Sequence, residues 1–131
     1  MAAQYAALYD QAGMMVRIDA ENWIKCGVEF SDGQLLLSTV LTLDKSEWAV
    51  SLAPAMPAGF WLRVTVEQGV IRVQYSTDGL RWPLLRLAPL PEASNYRVGP
   101  MCCTPERGGL EVVFSRFSIA PAQQKDLHDV S

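Results

Sequence analysis

The sequence predicts an all-β fold, a two-sheet antiparallel jelly-roll sandwich, from three observations. Apolar and polar residues alternate in most stretches between turns, turn signals recur about every 8–12 residues, and no window carries the i, i+3, i+4, i+7 spacing of an amphipathic helix. At 131 residues, with 50% of them hydrophobic and 19% charged, the chain can bury one core and is not disordered. The domain expected is a single sandwich over residues 1–120, followed by a flexible polar tail over 121–131.

The elements follow in order. Gln11 to Ile18 places Ala12, Met14, Val16 and Ile18 on one face and Gln11, Gly13 and Arg17 on the other. After the polar turn Asp19-Ala20-Glu21-Asn22, the segment Trp23 to Phe30 sends Ile24, Cys26, Val28 and Phe30 inward and Trp23, Lys25, Gly27 and Glu29 outward. Ser31-Asp32-Gly33 is a turn of the positive-φ kind, and Leu35–Leu43, apolar on nearly both faces, suits a central strand. Residues 44–51 read as a loop with a short strand around Trp48, and Pro54 to Gly59 breaks the pattern.

Leu62, Val64 and Val66 then form a hairpin with Ile71 and Val73 around Glu67-Gln68-Gly69. Ser76-Thr77-Asp78-Gly79 is a tight turn in which Asp78 bonds its own backbone. Pro83, Pro89 and Pro91 keep the next segment out of central ladder positions, and two last strands are expected at Tyr96–Cys103 and Leu110–Ile119.

Composition narrows the function classes. The net charge of -3 arises from 14 acidic and 11 basic residues with no basic stripe, so nucleic acid is not an expected partner. No apolar run approaches the roughly 20 residues of a membrane helix, and Met1 to Tyr5 lacks a signal-peptide start, so neither a membrane partner nor export is expected and the location expected is cytoplasmic. Three cysteines, Cys26, Cys102 and Cys103, read as free, buried thiols. The single histidine, His128, lies in the expected tail and offers no base for a nucleophile, and no metal site or cofactor is expected.

The candidate binding surface is the non-core face of the first two long strands, where Gln11, Arg17, Trp23, Lys25 and Glu29 project together, with Arg63 expected nearby. An indole platform with amide, carboxylate and cationic groups suits a saccharide, whose apolar ring face stacks while its hydroxyls hydrogen-bond. The same residue types also make an ordinary solvated sheet face. Glycoside hydrolysis needs two carboxyl groups flanking one bond. Glu29 stands alone on its strand face, so no catalytic residue is assigned.

Two runs carry a family resemblance: Tyr9-Asp10-Gln11-Ala12-Gly13-Met14-Met15-Val16-Arg17, and Trp23-Ile24-Lys25-Cys26-Gly27-Val28-Glu29. With Ser38 to Thr42, Ser46-Glu47-Trp48, Tyr75 to Gly79, Trp82, Val98-Gly99, Phe114 and Phe117 in order, the chain resembles the DUF1349 family over about residues 5–119. The resemblance implies a concanavalin A-like lectin/glucanase jelly roll. Members usually carry further strands upstream, which implies an uncovered sheet edge here, closed by a second copy in a homodimer. Glu47 stands where the family often has Asp. The function expected is a non-catalytic binding module for a carbohydrate. The alternatives are a protein-interaction or regulatory role, by analogy with a regulator of enolase in the family, and, third, a glycoside-active enzyme.

Overall fold

A computed structural model describes residues 1–56 and 59–131, and among them it contains no helix and ten strands. These are β1 (Ala2–Ala3), β2 (Gln11–Arg17), β3 (Asn22–Ser31), β4 (Gln34–Leu43), β5 (Lys45–Leu52), β6 (Trp61–Glu67), β7 (Val70–Ser76), β8 (Leu84–Pro89), β9 (Arg97–Cys103) and β10 (Val112–Val113). All pairings are antiparallel: a five-stranded sheet β5-β4-β3-β2-β9, a three-stranded sheet β6-β7-β8, and the short ribbon β1-β10.

The two larger sheets face each other. Val16, Ile24, Cys26 and Leu41 of the five-stranded sheet pack with Ile71, Val73, Ala88 and Leu90 in one core cluster. A second cluster centres on Val28, Leu37 and Phe60, where Phe60 stacks on Tyr75 with ring centroids 6.1 Å apart. Period two produces this arrangement, because the inward rows of β2 and β3 meet in register, Ala12 opposite Val28, Met14 opposite Cys26 and Val16 opposite Ile24. Burial also pushes the Cys26 thiol up to about 12, so it packs as a small apolar group and stays protonated at neutral pH.

The turns follow their residues. Asp32-Gly33 and Gln68-Gly69 both take positive φ between directly paired strands, as two-residue hairpins require. Asp78 Oδ1 accepts from the backbone N–H of Leu80 and Arg81, and Ser76 Oγ from those of Asp78 and Gly79.

Several expectations are corrected. The strand foreseen around Trp48 runs for eight residues as the exposed edge strand β5. Leu84–Pro89, by contrast, stays out of central ladder positions as its prolines required, pairing as an edge strand. Of the strand foreseen over Leu110–Ile119, only Val112–Val113 is paired, with β1 as its one neighbour, and Ile119 is 73% exposed. Cys102 and Cys103 are exposed rather than buried, at the end of the edge strand β9. Within the expected Pro54 to Gly59 break, residues 57 and 58 lie outside the described residues.

The segment over 121–131, expected as a flexible tail, has no regular structure and lies across the outer face of the three-stranded sheet. Arg72 donates to the Lys125 carbonyl (3.0 Å), the Trp82 N–H to the Val130 carbonyl (2.7 Å) and Arg63 to the Ser131 carbonyl (2.8 Å). No helix among the described residues is long and apolar enough to cross a membrane.

Candidate binding face

The outer face of the five-stranded sheet is built row by row from its pairings. Gln11 lies opposite Glu29, Gly13 opposite Gly27, Met15 opposite Lys25 and Arg17 opposite Trp23. β4 and β5 extend these rows, with Ser38 beside Gly27 and then Val50, and Val40 beside Lys25 and then Trp48.

The paired glycines form the floor. A Cβ on Gly13 would sit 1.8 Å from the Cys26 carbonyl oxygen, and one on Gly27 would sit 2.1 Å from that of Ala12. Both obstacles are backbone, so no side-chain adjustment makes room, and the two strands approach as closely as they do because these residues lack a Cβ.

Polar groups stand around this floor in two connected sets. Lys25 Nζ donates to Gln11 Oε1 at 2.7 Å, and Gln11 Nε2 donates to the Tyr9 carbonyl. On the other side Trp48 Nε1 donates to Ser38 Oγ (3.1 Å), which donates to Glu29 Oε2 (2.9 Å). Gln11 and Glu29, expected to project outward, are buried at 6% and 4% exposure beside the buried Ser38, whereas Trp48 is 53% exposed at the sheet edge. A small hollow lies between the sets, lined by Gln11, Lys25, Gly27, Glu29, Ser38 and Met101.

The structure therefore brings five of the six foreseen residues, Gln11, Arg17, Trp23, Lys25 and Glu29, onto one sheet face. Arg63 is not among them. It lies on β6 in the other sheet, over the Trp82 ring at 4.5 Å and bonded to Gln74 Oε1 at 3.0 Å. Alternation assigns a residue to a side of its own strand but not to a sheet. Ser38 and Trp48 were not foreseen as site residues, although both stand in segments that carry the family resemblance.

One end of this face is fastened by Asp10, which is buried and accepts from the backbone N–H groups of Ala6 and Ala7 and from the Arg107 guanidinium at 2.5 Å. The Arg107 bond is the chief cause, aided by the two N–H groups, that holds the Asp10 carboxyl well below the usual carboxylate range against the opposing effect of burial. Nearby, burial and then the Asp10 charge push the Tyr5 hydroxyl up to about 12.

The fold and this face define an all-β sandwich with an open polar sheet surface. The chain belongs to the family described as "Protein of unknown function (DUF1349)", whose model matches residues 1–122. It is 56% identical over 127 residues, 97% of its own length, to "Regulation of enolase protein 1" of Saccharomyces cerevisiae (strain S288c), and spans 64% of that relative, less than two thirds. The crystal structure of a functionally unknown protein from Saccharomyces cerevisiae superposes with a TM-score of 0.80 at 57% identity, covering 82% of this chain and 58% of that one. A protein of Escherichia coli (strain K12), named provisionally as a beta-xylosidase, is 32% identical over 77 residues, which is 54% of this chain and 14% of that protein.

Proposed function

We propose that this chain is a non-catalytic binding module whose open sheet face takes a saccharide. The observation that carries the reading is the line from Trp48 through Ser38 to Glu29 beside the Lys25–Gln11 pair, all above a glycine floor. An exposed indole stacks on a sugar's apolar face, and the half-buried Lys25 ammonium keeps donors for a hydroxyl, while Gln11, Ser38 and Glu29 are buried and hold Lys25 and the indole in place. The part-length relation to a protein named for beta-xylosidase activity supports a carbohydrate ligand without implying cleavage. Glu29 is the one carboxylate that the strands place on this face, whereas hydrolysis needs two at about 5–9.5 Å.

Calorimetric titration with xylo- and gluco-oligosaccharides tests the reading. Binding is expected, and Trp48→Ala weakens it about tenfold, equivalent to ~1.4 kcal/mol. The reading fails if no sugar binds, or if Trp48→Ala and Trp23→Ala both bind as the wild type does. Release of reducing ends that vanishes in Glu29→Gln would turn it into the glycoside-active alternative.

A second reading is a regulatory protein-interaction role. It is favoured by the name of the Saccharomyces cerevisiae relative and by β5, an edge strand exposed along its whole length with Val50 and Leu52 uncovered. Stoichiometric capture of enolase supports that role. The same edge is where a second copy would pair, and sedimentation as a dimer distinguishes self-association from it.

A further inference from the structure

Beside the glycine floor, the sheet carries a second feature that sugar hydroxyls do not explain. Arg17 on β2 and Arg97 on β9 are direct cross-strand partners on the same outer face. Both line an open depression of about 370 Å³ with Met15, Gly99, Pro100 and Met101. Its floor is clear, because a Cβ built on Gly99 would meet nothing within 4 Å.

Two like charges directly opposite each other cost stability unless something lies between them. The ion pairs among the described residues are Arg86–Glu47 and Arg107–Asp10, and neither involves this pair. Arg17 Nε donates to the Asp19 main-chain carbonyl at 3.2 Å, while the Asp19 carboxylate is occupied by the Glu21 N–H and the Asn22 amide of its own turn. Lys25 adds a third cation on the same face, bonded to a neutral amide. A protein with a net charge of -3 thus gathers three cations on the surface that holds the candidate site, where Asp19 lies close enough to feel the Arg17 charge but neither arginine has a direct ion-pair partner among the described residues.

We infer that Arg17 and Arg97 form an oxyanion subsite of this face, which takes the carboxylate or phosphoryl group of an acidic sugar. The planar guanidinium fork matches an oxyanion with paired, charge-assisted hydrogen bonds, and one anion between two forks removes their repulsion. Trp23, opposite Arg17 on β3, stands where the sugar ring would continue. The sugar component rests on the reading under "Proposed function", whereas the anion component rests on the arginine pair alone.

The full chain, labelled with nitrogen-15, is titrated at low salt with glucose, glucuronate, glucose 6-phosphate and inorganic phosphate. An acidic sugar is expected to bind at least about tenfold more tightly than glucose, with shifts on β2 and β9 amides, and added salt reduces that preference. Arg97→Ala and Arg17→Ala each lose about tenfold for the acidic ligand, while Arg81→Ala, on an exposed turn, keeps wild-type affinity. Comparison of glucuronate with glucose 6-phosphate identifies the carboxylate or the phosphoryl group as the source. Equal affinity for acidic and neutral sugars overturns the subsite, as does an acid preference that survives Arg97→Ala. Neutral-sugar binding that depends on Trp48, without acid preference, overturns the subsite and leaves the saccharide reading. Shifts with inorganic phosphate on β2 and β9, with no contribution from any sugar, keep the subsite and overturn the saccharide reading.

Discussion

The two outward sheet faces of this sandwich carry similar residues and treat them differently. On the three-stranded sheet, Arg63, Arg72, Gln74 and Trp82 present cations, an amide and an indole much as the other sheet does. Much of this face is taken up by the chain's own residues 124–131, whose carbonyls accept from the side chains of Arg63, Arg72 and Gln74 and from the backbone N–H of Trp82. On the five-stranded sheet, Arg97 is exposed, Arg17 and Trp23 are partly exposed, and Trp48 stands half in solvent. Composition alone would make both faces equal candidates. The covered face is bonded over by the chain's own residues, whereas the other leaves Trp48 and Arg97 in solvent, which is why the binding proposal belongs to the latter.

The comparison can be broken at the floor of the open face, where the largest effect is expected. Gly27→Ala forces a methyl group into the Ala12 carbonyl, and since overpacking against fixed backbone costs about 3 kcal/mol or more, urea unfolding should show a loss of that size. Replacement of Gly99, on the same face but with open space above it, should cost far less, and an equal loss at both positions would refute the close approach of β2 and β3.

The next effect concerns the fastening of that face. Asp10 ionises below its unfolded value, so the folded chain holds fewer protons at acid pH than the unfolded one. The stability it contributes is complete above the unfolded carboxylate value of about 3.9 and declines as pH falls toward and through the lower folded value. Asp10→Asn should therefore be less stable at neutral pH, and its deficit relative to wild type should shrink as pH falls from about 5 to about 2. Melting temperatures measured across that range decide it, and a constant deficit would show that Asp10 acts by shape rather than charge.

What could be read in advance follows the range of the forces involved. Local alternation disclosed which sides of Gln11–Arg17 and Trp23–Phe30 face the core, and the Asp32-Gly33 and Gln68-Gly69 turns announced their hairpins, because these depend on neighbours in sequence. Arg63 was misplaced because nothing local tells one sheet from the other. Ser38 and Trp48 became part of the site only through the β3-β4-β5 pairings, and Asp10 was given no structural role because its partner Arg107 is 97 positions away. Leu110–Ile119 alternates as a strand should, yet a strand also needs a partner, and beyond Val113 it has none among the described residues.

The smallest expected effect tests the covered face. Arg63→Ala removes the contact over the Trp82 ring, the bond to Gln74 Oε1 and the bond to the Ser131 carbonyl. Contacts of this kind are worth about 0.5–1 kcal/mol each at partly exposed sites, so a total loss of about 1.5–3 kcal/mol is expected in urea unfolding. Hydrogen exchange separates the cover from the sheet beneath it. The Trp82 amide, bonded to the Val130 carbonyl, should exchange faster in Arg63→Ala, while the amides of β7, which are held by ladder bonds on both sides, should keep their protection. Unchanged exchange at Trp82 would mean that residues 124–131 are held without Arg63, and the contrast between the faces would then rest on Arg72 and Gln74 instead.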